Sequence, residues 1–256
     1  MSSRALISGF GGQLVKSFRK LHRSKGRRDQ GLFLVEGVKL VREALDAGYP
    51  VDTVVVTPLF QERNQDLAAR LTASARRHEV VSPDVLRRMA SLDSVADEGV
   101  LASLPMRDLR ALAGSVEDGN SDPAGAGGDG GGDFEVEVAL ESVGDPGNVG
   151  TLLRTGAAAG LSRLFLTGQS SVQPHSPKML RASAGYWFRV PINQEPDTFA
   201  LLRRASRRCQ QGLACVPLRV DCEHPPVVHD HESVCFWDVD FSRPSLVLLG
   251  KAAFHC

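Results

Sequence analysis

Two spacings of apolar residues alternate along the first hundred positions. Apolar residues recur at helical intervals in "QLVKSFRKLHR" (13–23), and "GLFLVEG" (31–37) is a short strand-like run. "VKLVREALDAG" (38–48) is helical again and is closed by Gly48, and "VDTVVVT" (51–57) is rich in β-branched residues. The spacing then predicts one long helix over "LFQERNQDLAARLTASARR" (59–77), a strand at "HEVVS" (78–82), a helix at "PDVLRRMAS" (83–91) with Pro83 in its first turn, and a strand at "GVLASL" (99–104). Strands alternating with helices predict an α/β domain with a largely parallel sheet.

The pattern stops in "GSVEDGNSDPAGAGGDGGGD" (114–133), which has almost nothing to bury and reads as a flexible linker. It then resumes. "FEVEVALES" (134–142), "RLFLTG" (163–168), "WFRVPI" (187–192), "LACVPLRV" (213–220) and "PSLVLLG" (244–250) read as strands, with helices at 148–159, 176–185 and 196–212. The chain divides accordingly into a first domain at 1–105, a linker at 106–134 and a second α/β domain at 135–256.

Of 256 residues, 42% are hydrophobic and 23% charged, and the formal net charge is zero. Nucleic-acid binding therefore needs a local basic patch rather than a global field. One exists: Lys16, Arg19, Lys20, Arg23, Lys25, Arg27 and Arg28 follow one another with no acid before Asp29. The same acid-free start also suits an organelle transit peptide, although a basic first helix is the simpler reading. Five cysteines without a CxxC pair favour reduced thiols in an intracellular compartment. No apolar run is long enough to span a bilayer.

The densest chemistry lies in "SVGDPGNVGTLLRTGAAAG", Ser142 to Gly160. A helix from Asn148 places Val149, Leu152, Leu153, Gly156, Ala157 and Gly160 on one face, packed on the sheet, and Asn148, Thr151, Arg154 and Thr155 on the other. "GDPGN" directly follows a strand, so Asn148 stands at a strand's carboxyl end and at a helix N-terminus, where open α/β sheets bind ligands and free N–H groups attract anions. A second block, "SPKMLRASAGYWFRVPI" (176–192), repeats a strand-end loop before a short helix. Competing sites are weak. Cys222, His224, His229, His231 and Cys235 have no zinc-finger spacing, and "GK" at Gly250 has Ser245 where a P-loop needs glycine. The glycines of "GFGG" and of the linker lack the strand-to-helix context of a phosphate loop.

Together, "DPGNVGTLLRTGAAAG" followed by "SPKMLRASAGYWFRVPI" resembles the first two motif blocks of the SpoU (TrmH-like) family of RNA ribose 2'-O-methyltransferases, a branch of the SPOUT superfamily. The N-terminal part is similar to that family's small α/β RNA-binding domain, related to a ribosomal protein, through 13–48, "VSPDVLRRMAS" and "EGVLASLP".

The resemblance implies a parallel-sheet methyltransferase domain with a trefoil knot, S-adenosylmethionine as cofactor, a homodimer and no metal. By motif position Asn148 and Arg154 become the catalytic pair, and Leu166, Thr167, Gly168, Leu249 and Gly250 the cofactor-binding residues. Glu36, Lys178 and Arg181 join the basic run as RNA-binding residues. A guanidinium with a pKa above about 12 suits phosphate clamping and alkoxide stabilisation, so the proton acceptor stays unassigned. The implied reaction is methylation of a ribose 2'-hydroxyl in structured RNA, ribosomal RNA in preference to transfer RNA, in the cytoplasm or alternatively a mitochondrial or plastid matrix.

The third family motif, a glutamate followed by a glycine and a serine, is expected after "SLVLLG", where "KAAFHC" stands instead. Six residues reach at most about 20 Å, too little for a threaded loop and a last helix. The expectation is a truncated chain with half of the cofactor site. The alternative is a non-catalytic RNA-binding or assembly protein.

Overall fold

The computed structural model describes residues 6–9, 12–107, 136–169, 171–209, 214–218 and 244–250. The linker from residue 108 onward, the cysteine and histidine group at 222–235 and the last six residues lie outside these. The chain forms two compact units, Met1–Arg107 with Gln173–Phe188, and Asp108–Val172 with Arg189–Cys256.

In the first unit, helices α1 (Gln13–Leu21) and α2 (Ser24–Gln30) precede β1 (Leu32–Glu36), α3 (Val38–Asp46) and β2 (Val51–Val56). Then come α4 (Pro58–Arg63), α5 (Gln65–Ser74), β3 (Ala75–Val80), α6 (Pro83–Met89), α7 (Asp93–Asp97) and β4 (Val100–Pro105). The sheet order is β1-β4-β2-β3. The expectation of a largely parallel sheet is corrected here, because β4 returns between β1 and β2, antiparallel to both, and only β2 and β3 run parallel.

Local chemistry sets these elements. The single helix expected over 59–77 is two, broken at Asn64 (φ −129°, ψ 52°), and β3 takes the last three residues of that run. Thr57 and Ser82 accept the N–H of Phe60 and Val85 at helix starts completed by Pro58 and Pro83. α2 has no apolar stripe. It lies so close to the end of α1 that a Cβ on Gly26 would strike the Lys20 carbonyl.

Burial organises both sheet faces. Leu34 of β1 joins Phe18, Leu21, Leu86, Met89 and Leu101 in one core, whereas its neighbour Phe33 points the opposite way. There Phe33 meets rings of the Gln173–Phe188 segment: His175 at 5.0 Å and Trp187 at 5.2 Å, with Tyr49 at 5.8 Å from Phe33. That segment carries α9 (Pro177–Ala182) and a 3-10 turn, Tyr186–Phe188, where a strand over 187–192 was expected.

The second unit comprises β5 (Val136–Glu141), α8 (Pro146–Ala158), β6 (Leu161–Thr167), β7 (Ile192–Glu195), α10 (Thr198–Cys209), β8 (Ala214–Leu218) and β9 (Ser245–Gly250). Its five strands are all parallel, in the order β7-β6-β5-β9-β8. Ala139, Phe165, Leu246 and Leu248 pack with Leu201 and Ala205 of α10. The order reverses direction beside β5, so the carboxyl ends of β5, β6 and β9 frame a topological switch point.

Candidate active site

The strand register brings the switch point together. Glu141, the last residue of β5, is level with Thr167 of β6 on one side and Gly250 of β9 on the other. Among the expected cofactor-binding residues, Leu166 and Thr167 are buried and Leu249 and Gly250 half-buried. The Thr167 hydroxyl is paired with that of Thr198 at 2.9 Å, so β6 offers its backbone here rather than that side chain. Gly168 follows with φ +79°, a conformation that L side chains rarely adopt.

Two residues absent from the sequence expectation complete this corner. Ser142 has φ +55°, unusual for a non-glycine. Its N–H donates to the Thr167 carbonyl at 2.9 Å and its hydroxyl to Glu141 Oε1 at 2.8 Å. A Cβ on Gly250 would sit 2.8 Å from the Glu141 carbonyl and 3.0 Å from Glu141 Oε2, and one on Gly168 would sit 3.0 Å from Oε1. Glycine on both sides leaves room for this carboxylate. No motif spacing marks Glu141. Its signal is only that it ends the strand before the loop.

That loop starts α8. Asp145 Oδ2 accepts the Asn148 N–H at 2.9 Å, with Pro146 in the first turn. Asn148, Thr151, Arg154 and Thr155 form one exposed face, and Arg154 donates to Thr151 Oγ1 at 3.1 Å. Opposite them Val149 and Leu153 are buried and Leu152, Gly156 and Ala157 half-buried. Gly160, expected on the packed face, is instead exposed at φ +86°, where it follows the helix end.

In the first unit Lys16, Arg19, Lys20, Arg23, Lys25 and Arg28 are exposed on α1, α2 and the turn between them. Arg27 departs from the expected track. It is 4% exposed, donating to the Leu21 and His22 carbonyls at 3.0 and 3.1 Å and to Gln173 Oε1 at 2.6 Å. Burial, with Arg28 nearby, lowers its pKa from the ordinary arginine value.

Glu36 is likewise internal. Its Oε1 accepts the Ser91 N–H at 2.7 Å, and its Oε2 takes the Ser91 hydroxyl and an Arg181 ion pair at 2.7 Å. Glu36 and Arg181, both expected to touch RNA, pair with each other, while Lys178 on the same helix is exposed. Packing around α2 and α9 buries Arg27 and Glu36 and leaves Arg181 half-buried, which a run of charges in sequence does not reveal. Among the described residues no three His, Cys, Asp or Glu side chains converge as metal ligands, and no helix is long and apolar enough to cross a membrane.

Comparison with known proteins matches residues 13–102 to the MRM3-like substrate binding domain and 135–251 to the SpoU rRNA Methylase family. An uncharacterised tRNA/rRNA methyltransferase of Synechocystis is 35% identical over 98% of this chain and 79% of its own length. The chain belongs to the SpoU rRNA methylase family. A Streptomyces viridochromogenes SpoU relative, a 23S rRNA uridine 2'-O-methyltransferase, is 26% identical over 88% of this chain and 69% of its own. Among solved structures, an AdoMet-bound rRNA methyltransferase from Sinorhizobium meliloti superposes with a TM-score of 0.71 at 26% identity, over 97% of this chain and 82% of that one. The SpoU match includes Gln173–Phe188, yet in this SpoU methylase that segment is built into the first unit.

Proposed function

We propose that this chain transfers the methyl group of S-adenosylmethionine to a ribose 2'-hydroxyl of ribosomal RNA. The observation that carries the reading is the switch point of the all-parallel sheet, where two side-chain-free positions, Gly168 and Gly250, flank the end of β5 and the loop leads straight into the helix bearing Asn148 and Arg154. These residues fit an adenosyl cofactor: Leu166 to Gly168 and Leu249 to Gly250 offer backbone groups at neighbouring strand ends, and Glu141 Oε2 is buried with no hydrogen-bond partner among the described residues.

Backbone groups of Leu166 to Gly168, with Leu249 and Gly250, would hold the cofactor. Bound there, it supplies an electrophilic methyl group on a sulfonium whose departure leaves a neutral thioether. The chain's part is to align the hydroxyl and manage its charge. Asn148 orients the motif loop and nearby RNA. Arg154 presents a guanidinium, a fork of donors with no acceptor, so it clamps the target phosphate and stabilises negative charge growing on the 2'-oxygen.

Residues 1–105 serve as the RNA-binding module, joined through 106–134 to the methyltransferase domain at 135–256. Six exposed cations of α1, α2 and their connecting turn provide phosphate contacts. The working form is a homodimer, supported by family resemblance, and light scattering in solution decides it. The compartment is the cytoplasm, with an organelle matrix as the alternative in view of mitochondrial relatives, and a fluorescent fusion distinguishes them.

The test uses the whole chain, ribosomal RNA and labelled cofactor, with methylated riboses mapped by their resistance to alkaline cleavage. Arg154→Ala is expected to retain cofactor binding while losing about 100-fold or more in transfer. Undiminished transfer by that variant would refute the role of Arg154, and no transfer by the parent chain would refute the enzyme reading.

A further inference from the structure

Among the described residues the other buried carboxylates are supplied with partners. Glu36 has Arg181 and Ser91, and Glu137, 4% exposed at its side chain, has Arg163 at 3.7 Å. Glu141 differs. Ser142 holds Oε1, but Oε2 is shut off from solvent and has no hydrogen-bond partner among the described residues. Leaving a carboxylate oxygen desolvated and unpaired is costly, so one kept in a folded protein calls for an explanation.

Its setting directs the group. Ser142 is fixed in a left-handed conformation and tied to the Thr167 carbonyl, which pins Oε1 through the serine hydroxyl. Gly168 and Gly250 flank the carboxylate, and neither can carry a Cβ without crowding it. The unpaired oxygen therefore stands at the carboxyl ends of three parallel strands, between the two stretches assigned above to the cofactor. A carboxylate in that place accepts a hydrogen bond from a hydroxyl or an ammonium. The adenosyl cofactor carries both, in its ribose diol and its amino-acid end.

The geometry points to Glu141 as a cofactor-binding residue whose Oε2 accepts a hydrogen bond from the bound cofactor. The inference rests on the reading of this switch point as the cofactor site. It adds a side-chain acceptor where the expected contacts were backbone and apolar. It also explains the two glycines as space kept for the carboxylate, and Ser142 as the group that sets its orientation. The protein without cofactor bears an unpaired acceptor that binding satisfies.

The test is calorimetry on the full chain with S-adenosylhomocysteine and, separately, methylthioadenosine, which has the ribose but no amino acid. Glu141→Gln is expected to weaken S-adenosylhomocysteine about 10- to 100-fold. The cofactor-free variant should melt at or above the parent temperature, because the buried charge is gone. Equal weakening of both ligands places the donor on the ribose, and weakening of S-adenosylhomocysteine alone places it on the amino group; either supports the assignment. Unchanged affinity for both ligands would overturn it.

Glu141→Asp, which withdraws the carboxylate by one methylene, should weaken binding as well. If both variants lose cooperative unfolding, the carboxylate is a structural brace and the proposal falls. If the parent chain binds neither ligand, the cofactor reading fails along with it, an outcome distinct from a parent that binds and a variant that binds equally well.

Discussion

Glu36 and Glu141 each end a strand, β1 in the first unit and β5 in the second, and their carboxylates are treated in opposite ways. Around Glu36 every acceptor is used: an N–H, a hydroxyl and a guanidinium converge on a side chain 1% exposed. Around Glu141 one oxygen is held and the other left over. The first arrangement recovers in hydrogen bonds what desolvation cost, and the second does not. Position at a strand end therefore does not set a carboxylate apart. The unsatisfied oxygen is what singles out Glu141.

The comparison can be broken most directly at Arg181. Arg181→Met strands a buried carboxylate, and because Arg181 itself is 29% exposed the cost belongs at the low end for broken buried pairs, about 3 kcal/mol. Urea unfolding reads it, and a midpoint unchanged from the parent would show that Glu36 is paired by Ser91 alone.

Acid should loosen the same unit by a similar or slightly smaller amount. His175 lies buried among Phe33 and Trp187, and burial, with Arg27 nearby, pushes its pKa down to about 4. A histidine whose folded pKa lies below its unfolded value of about 6.5 contributes stability that is complete above that pH and is lost as pH falls towards 4. Between pH 7 and pH 4.5 this amounts to about 2 kcal/mol, and His175→Phe should flatten that part of the stability curve. An equally steep curve in the variant would assign the acid sensitivity to other groups.

Smaller effects separate the two glutamates. Glu36→Gln should cost about 1 kcal/mol, since it exchanges charge-assisted bonds for neutral ones. Glu141→Gln should leave the cofactor-free protein unchanged or slightly more stable. A loss at both positions would erase the distinction. Smallest in stability, and visible only with RNA, is neutralisation of Lys25 and Arg28: each lost phosphate contact should reduce the salt slope of RNA binding by about 1 while leaving folding unchanged. Neutral Arg27, by contrast, should act on folding, because Arg27 is buried.

Much of this was legible from residue spacing. The α/β alternation, the order of most elements and the polar face of Asn148, Thr151, Arg154 and Thr155 follow from periods of 2 and 3.6, whereas the assignment of Gln173–Phe188 to the first unit does not. What escaped has identifiable causes. α2 is "SKGRRDQ", without an apolar residue to mark its face, and it exists because Gly26 lets it lie against α1. β4 folds back between β1 and β2, an insertion that alternation of elements cannot encode. The Arg181 and Glu36 partners are 145 positions apart, so their charges read as two surface groups rather than one internal pair. Glu141 was invisible because its distinguishing property is a missing partner, and only the folded structure has one to miss.

The segment Gln173–Phe188 leaves the second unit after β6 and re-enters it before β7, having supplied His175, Trp187 and Phe188 to the ring cluster around Phe33 and Tyr49. Exchange of MRM3-like substrate binding domains among such enzymes is therefore not a matter of cutting once in the glycine-rich stretch. A chimera joined there would set a foreign module against rings chosen for this one. The smallest portable piece is discontinuous, a fragment ending near Arg107 together with a sixteen-residue insert borrowed from the methylase sequence, so the two parts of the gene must be inherited as a pair.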